Sequence, residues 1–186
     1  MRTLVRSVGR ASIGGEPLPS CFKAFDSNQI VIRRAEVSMF AAVPGAGKSS
    51  LALAFALKMK VPTLYISADT NAHTMAMRLA SMISGKSQTD VENKLNEDLG
   101  WTRATLSKGS HIVWSFDSSP SLQDIDEEVQ AFEELWGCPP VCIIVDNLMD
   151  IATDGGEEFA SMRAIMKELK FLARATNAAV IVLHHT

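Results

Sequence analysis

The chain has 186 residues, 47% of them apolar and 21% charged, with a formal net charge of −3. That length and balance suit a single globular α/β domain with a packed core; they exclude a disordered tail, and they exclude bulk charge as the source of any affinity for nucleic acid, which would need a local basic patch. Three cysteines, Cys21, Cys138 and Cys142, are an odd number without Cys-x-x-Cys spacing, which argues against a disulfide framework or a zinc site and for a reducing, cytoplasmic setting.

No apolar run approaches the length of a membrane span, so no membrane partner is expected. Residues 1–35 lack strong periodicity and read as a leader and lead-in segment; residues 36–186 read as the core. Arg2, Arg6 and Arg10, with no acid before Glu16, make a solvated leader, a basic arm or an organellar transit peptide. Val37–Ala41 is a first strand, running into a Pro/Gly-rich loop and an Ala/Leu-rich helix from Ser49 to Lys60. Thr63–Ser67 is a second strand, followed by a helix over Ala72–Ser84 that Gly85 stops. Residues 86–108 are polar and helical in part, with Val91, Leu95 and Leu99 on one stripe. His111–Phe116 is a third strand, and Ser121–Trp136 a helix closed by Gly137.

Val141–Asp146 is an apolar run ending in one acid, the pattern of a strand buried on both faces. An acidic, glycine-containing loop (Asp154–Glu158) leads to a long helix from Phe159 to about Ala175, and Ala179–Leu183 is the last strand. Five short strands alternating with helices predict a mostly parallel sheet with helices on both faces, and in such sheets ligands bind at the carboxyl ends of the strands.

Those ends hold the candidate site. Pro44, Gly45, Ala46, Gly47, Lys48, Ser49 and Ser50 form a phosphate loop: glycines let successive backbone N–H groups turn into one concavity, and the following helix aims its positive end there. Lys48 then reaches the β- and γ-phosphates of ATP, and the Ser49 hydroxyl ligates Mg²⁺. Ala42 replaces the first glycine of the usual pattern, a tolerable change because Pro44 and Gly45 already dictate a turn. Asp146 closes its strand where a carboxylate supports the metal; by itself it also fits a strand-ending turn cap. Because Asn147 follows it, the acid that orients attacking water must lie elsewhere, and Asp69, just past the second strand, is the candidate, with helix N-capping as its other reading. His184 and His185 end the last strand, and side-chain alternation allows only one of them to face the nucleotide.

These residues resemble the RecA-like core of DnaB-type replicative helicases and the RepA-like hexameric ATPases, from about Pro19 to the C-terminus. Ala41–Ser49 is similar to the family's phosphate loop, Leu64–Asp69 to the strand that ends in its catalytic glutamate, Ile143–Leu148 to its metal-binding strand, and Leu169–His185 to its last helix and sensor strand. The resemblance implies a RecA-like P-loop NTPase fold with sheet order 3-2-4-5-1, ATP and Mg²⁺ as ligands, and His185 as γ-phosphate sensor. It makes Asp69 a catalytic acid one methylene shorter than the family's glutamate. It also implies single-stranded DNA as partner and a homo-oligomeric ring or filament. The family's sheet runs on into a DNA-binding loop and strands with an arginine finger, so the core is expected to be truncated at its C-terminal end or to be a reduced variant.

Arg163, Lys167, Lys170 and Arg174 share one face of the long helix, and the ordinary reading of such a face is solvation. The leading functional expectation is an ATP-hydrolysing motor acting on DNA in replication, recombination or repair. A nucleotide-gated assembly or DNA-coating module with little turnover, or an ATPase assisting a nuclease, is the alternative. A small-molecule kinase is disfavoured because no Arg-rich lid segment appears, and GTP specificity because no Asn-Lys-x-Asp motif does.

Overall fold

The computed structural model describes residues 15–152 and 158–186. The leader arginines and the centre of the acidic loop after Asp150 therefore lie outside the described residues. In chain order the elements are α1 (Lys23–Ser27), β1 (Val37–Ala42), α2 (Lys48–Met59), β2 (Thr63–Ser67), α3 (Ala72–Ser84), α4 (Gln88–Glu97), α5 (Leu99–Leu106), β3 (Ile112–Ser115), α6 (Leu122–Trp136), β4 (Cys142–Asp146), α7 (Glu158–Thr176) and β5 (Ala179–His185). The five strands are parallel and lie in the order β1-β5-β4-β2-β3, which is the expected 3-2-4-5-1 read from the other edge.

The interior strands β2 and β4 are buried at every position, including the polar ends Thr63, Ser67 and Asp146. Alternation sorts their side chains. Cys142 and Ile144 of β4 join Ala179, Ile181 and Leu183 of β5 in a core with Leu53, Phe55 and Ala56 of α2 and Met75 and Leu79 of α3. Ile143 and Val145 join Val180 and Val182 in a second core, with Ile125, Val129 and Phe132 of α6 and Ile165, Leu169 and Leu172 of α7. Helices thus cover both faces.

Residues 15–35 pack onto the first of these cores. The Leu18 N–H donates to the Ile32 carbonyl (2.8 Å), Pro17 and Arg33 form an antiparallel bridge, and both Leu18 and Ile32 are buried. Phe22 and Phe25 of the same segment meet Phe55 with ring centroids 6.2 and 5.9 Å apart.

One expectation fails locally. The stripe of Val91, Leu95 and Leu99 is broken at Asp98, whose N–H closes α4 on the Lys94 carbonyl and whose carboxylate caps α5 by accepting from the Trp101 N–H (2.9 Å). Val91 is buried, but Leu99 is 69% exposed, because the second helix leaves in a new direction. Among the described residues no helix is long and apolar enough to cross a membrane.

The entry to α6 shows local chemistry setting an element boundary. The Ser121 side chain accepts from the Asp124 N–H, while the Asp124 carboxylate accepts from the Ser121 N–H, a reciprocal capping box. Ser121→Ala is expected to lower unfolding stability by about 1 kcal/mol, read as a lower urea midpoint with an unchanged slope.

Candidate functional site

β1 delivers the chain into the loop Val43–Gly47, and α2 starts at Lys48. Gly45 and Gly47 have φ of +77° and +86°, and a Cβ at either would meet nothing within 4 Å; the backbone conformation, not lack of space, requires glycine there. Ala42 is the last residue of β1 and has no positive φ, so alanine fits where the usual pattern has glycine. Gly47 makes no side-chain capping bond, and the first intrahelical bond is from Leu51 N–H to the Gly47 carbonyl (2.9 Å). Among the described residues, the amides of Gly47, Lys48, Ser49 and Ser50 have no protein acceptor. They form a row of donors at the positive end of a twelve-residue helix.

Lys48 is buried, and its ammonium has three acceptors: the carbonyls of Ala42 (2.7 Å) and Val43 (3.1 Å), and His185 Nδ1 (3.0 Å). Since an ammonium only donates, Nδ1 is the accepting nitrogen and the neutral ring carries its proton on Nε2. Alternation along β5 puts His185 on this side of the sheet and His184 on the other, where its Nδ1 is buried without a partner.

Ser49 Oγ donates to Asp146 Oδ1 (3.1 Å), and the Tyr65 hydroxyl donates to Asp146 Oδ2 (2.9 Å). Burial pushes the Asp146 carboxyl above the usual carboxylate range; the bonds from Ser49 and Tyr65 oppose that rise, the charge of Asp69 adds to it, and the charge of Arg78 opposes it. Burial likewise holds the Tyr65 hydroxyl protonated, with the Asp146 charge adding to the effect, so it remains a donor. The Tyr65 ring packs on Trp114 at 4.9 Å between centroids, its apolar body in the core and its polar tip on the carboxylate.

Asp69 is exposed, two residues beyond Ser67, which pairs directly with Asp146. It does not cap α3. Asn71 does, accepting from the Thr74 N–H (2.9 Å). Asp69 has no hydrogen bond among the described residues, and its charge raises the carboxyls of both Asp146 and Asp150. Burial is the larger cause at Asp150, whose Oδ2 is buried without a partner.

The structure therefore brings together Lys48, Ser49, Asp146 and His185, with Asp69 at the rim of the same strand ends. Ser49 Oγ and Asp146 Oδ1 are hard oxygen donors beside one another, a set that suits Mg²⁺, and the unpartnered amides with the Lys48 ammonium suit phosphate. Sequence reasoning missed Tyr65. The available signal was the chain's single tyrosine at the middle of a short strand, between Leu64 and Ile66, a hydroxyl that burial obliges to find a partner. Tyr65→Phe is expected to cost about 1–3 kcal/mol in chemical denaturation, because it strands Asp146 Oδ2 in the core.

The AAA-domain family profile matches residues 28–186. The Gene 65 protein of Mycobacterium phage L5 is 35% identical over 175 residues, covering 92% of this chain and 65% of that protein. The Gene 65 protein of Mycobacterium phage D29 is 36% identical over 154 residues, covering 76% and 63%. The chain thus spans less than two thirds of the length of these curated relatives. Among solved structures, a DnaB-like replicative helicase superposes with a TM-score of 0.76 at 18% identity, over 97% of this chain and 47% of that one. A second solved structure, an ATPase domain, gives 0.76 at 17%, over 97% and 67%, and the RadB recombinase 0.56 at 15%, over 90% and 70%. At those identities the likeness is one of fold, and it is the RecA-like fold of DnaB-type ATPase cores. By sequence the chain belongs to the AAA-domain family, and its fold is the RecA-like one that it shares with the DnaB-like helicase.

Proposed function

We propose that this chain binds and hydrolyses MgATP as a motor acting on DNA in replication, recombination or repair, working in the cytoplasm as a homo-oligomeric ring or filament. The observation that carries the reading is the convergence, at the N-terminus of α2, of unpartnered amides, the Lys48 ammonium and the Ser49–Asp146 pair. The DNA part draws support from fold neighbours that include a DnaB-like replicative helicase and a recombinase.

In this reading the loop Pro44–Ser50 cradles the phosphates, and Lys48 neutralises charge on the transferring group. Ser49 and Asp146 would hold Mg²⁺, which would supply positive charge against the phosphates. Asp69, exposed at the strand end and free of any capping bond, orients the attacking water and accepts its proton. His185, linked to Lys48, reads the γ-phosphate. An arginine from a neighbouring subunit completes the site.

A second reading, a nucleotide-gated assembly or DNA-coating module with little turnover, is favoured by Asp69 itself, one methylene shorter than glutamate. Steady-state hydrolysis with and without single-stranded DNA separates the two. The motor reading expects Lys48-dependent hydrolysis stimulated by the strand, abolished in Lys48→Ala; hydrolysis that survives Lys48→Ala removes the site assignment. Asp69→Asn is expected to lower kcat by roughly 100-fold or more while nucleotide binding, measured by calorimetry, is retained. An unchanged kcat shows that another group handles the water.

A further inference from the structure

The outward face of α7 carries a surface that the nucleotide site does not use. Ile165, Leu169, Leu172 and Ala173 point into the core, which leaves Arg163, Lys167, Lys170 and Arg174 exposed in one column on the opposite side. Beside that column stands Phe171, 70% exposed, a large aromatic ring in water in the C-terminal half of the helix. It lies four residues after Lys167 and three before Arg174, so it neighbours both on the helix surface.

Among the described residues none of these four cations forms an ion pair. The ion pair found among the described residues is Lys94–Asp98, on a different part of the molecule, and no stripe residue makes a side-chain hydrogen bond there. Helix α6, which packs on the same side of the sheet, is rich in acids, yet none of them pairs with the stripe. A fifth cation sits at the end of the helix, where Arg34 Nε donates to the Asn177 carbonyl (2.8 Å). In a chain of net charge −3 this is a local positive track on an otherwise acidic protein.

We infer that the α7 face is a track for single-stranded nucleic acid, with Arg163, Lys167, Lys170 and Arg174 on phosphates and Phe171 as a stacking platform for one base. The column runs from Arg163 to Arg174, about 16 Å along the helix, enough for roughly three successive phosphates. Solvation accounts for the cations but makes no use of the Phe171 ring. A strand has a use for both, because its backbone attracts the cations while every base offers a π-face to the ring. The inference rests on the DNA-acting reading above and names the surface responsible.

The test is fluorescence anisotropy of a labelled oligo(dT) strand, titrated with the full chain across a series of salt concentrations. Three proteins are compared: the unaltered chain, Lys167→Ala/Lys170→Ala and Phe171→Ala. Nucleotide binding is measured on each, since all three positions are exposed and remote from the phosphate loop and that binding should not change. The double lysine variant should flatten the slope of log affinity against log salt by about 1.4, two phosphate contacts at 0.7 each. Phe171→Ala should bind about tenfold more weakly with its slope unchanged, because stacking releases no counterions.

An unaltered chain that binds the strand, with both variants equal to it, overturns the track and leaves the DNA reading standing. No binding by the unaltered chain overturns both. A flattened slope in the lysine variant with no effect of Phe171→Ala reduces the face to diffuse charge and overturns the stacking assignment. Phe171-dependent binding to phosphatidylserine vesicles but not to the strand assigns the face to a membrane surface and overturns the inference.

Discussion

Asp146 is the group on which the arrangement depends. A carboxylate that ends a buried strand has to be satisfied from both sides or it destabilises the fold, and here α2 supplies one donor and β2 the other. Ser49 and Tyr65 thereby tie the phosphate-loop helix, the neighbouring strand and β4 to one another through a single side chain. Burial still raises its carboxyl, which means that the two hydrogen bonds soften the cost of the charge without removing it. In the proposed reading a divalent cation held by Asp146 and Ser49 would offset that charge.

Which face of the sheet carries the chemistry follows from the two-residue period of the strands. Tyr65, Asp146 and His185 sit at positions that alternate in step with Cys142, Ile144, Ala179, Ile181 and Leu183, the residues that pack against α2 and α3. A one-residue slip in β4 or β5 would send Asp146 or His185 toward α6 and α7, taking Asp146 from Ser49 or His185 from Lys48. The apolar core and the polar site are therefore specified by the same register. β4 and β5, whose apolar positions are buried, carry Asp146 and His185 at their ends, while the phosphate loop follows the less buried β1.

That coupling explains what could be read from residues alone. The five strands, the helices between them and the loop before Lys48 announce themselves through apolar runs and glycine, because their local chemistry agrees with the final fold. Gly85 and Gly137 end α3 and α6 where expected. The choice between His184 and His185 as Lys48's neighbour needed only alternation plus the knowledge of which face α2 covers. The partner of Tyr65 was not legible, since it lies 81 positions away and only the adjacency of β2 and β4 brings them together. The break at Asp98 was hidden by a different effect: Val91, Leu95 and Leu99 keep helical spacing, and a single carboxylate with its own capping geometry outweighs that pattern. Asp69 and Asn71 compete for the same capping role in sequence. Only the fold shows that the residue nearer the helix takes it.

The hydrogen-bond inventory around Lys48 also divides labour within the proposed nucleotide site. Its three donors are matched to three protein acceptors, so a phosphate oxygen meeting Lys48 exchanges a hydrogen bond rather than adding one, and the net gain from that exchange is modest. The amides from Gly47 to Ser50 are different: they have no protein acceptor to give up, and the helix end already favours negative charge. On this reasoning the backbone supplies most of the affinity for phosphate, and the lysine supplies charge where it matters for transfer. The exchange at Lys48 has a structural consequence as well, since the acceptor most easily surrendered is the side chain of His185. Movement of that ring would pass directly into the end of β5, whose other neighbour is β4 with Asp146.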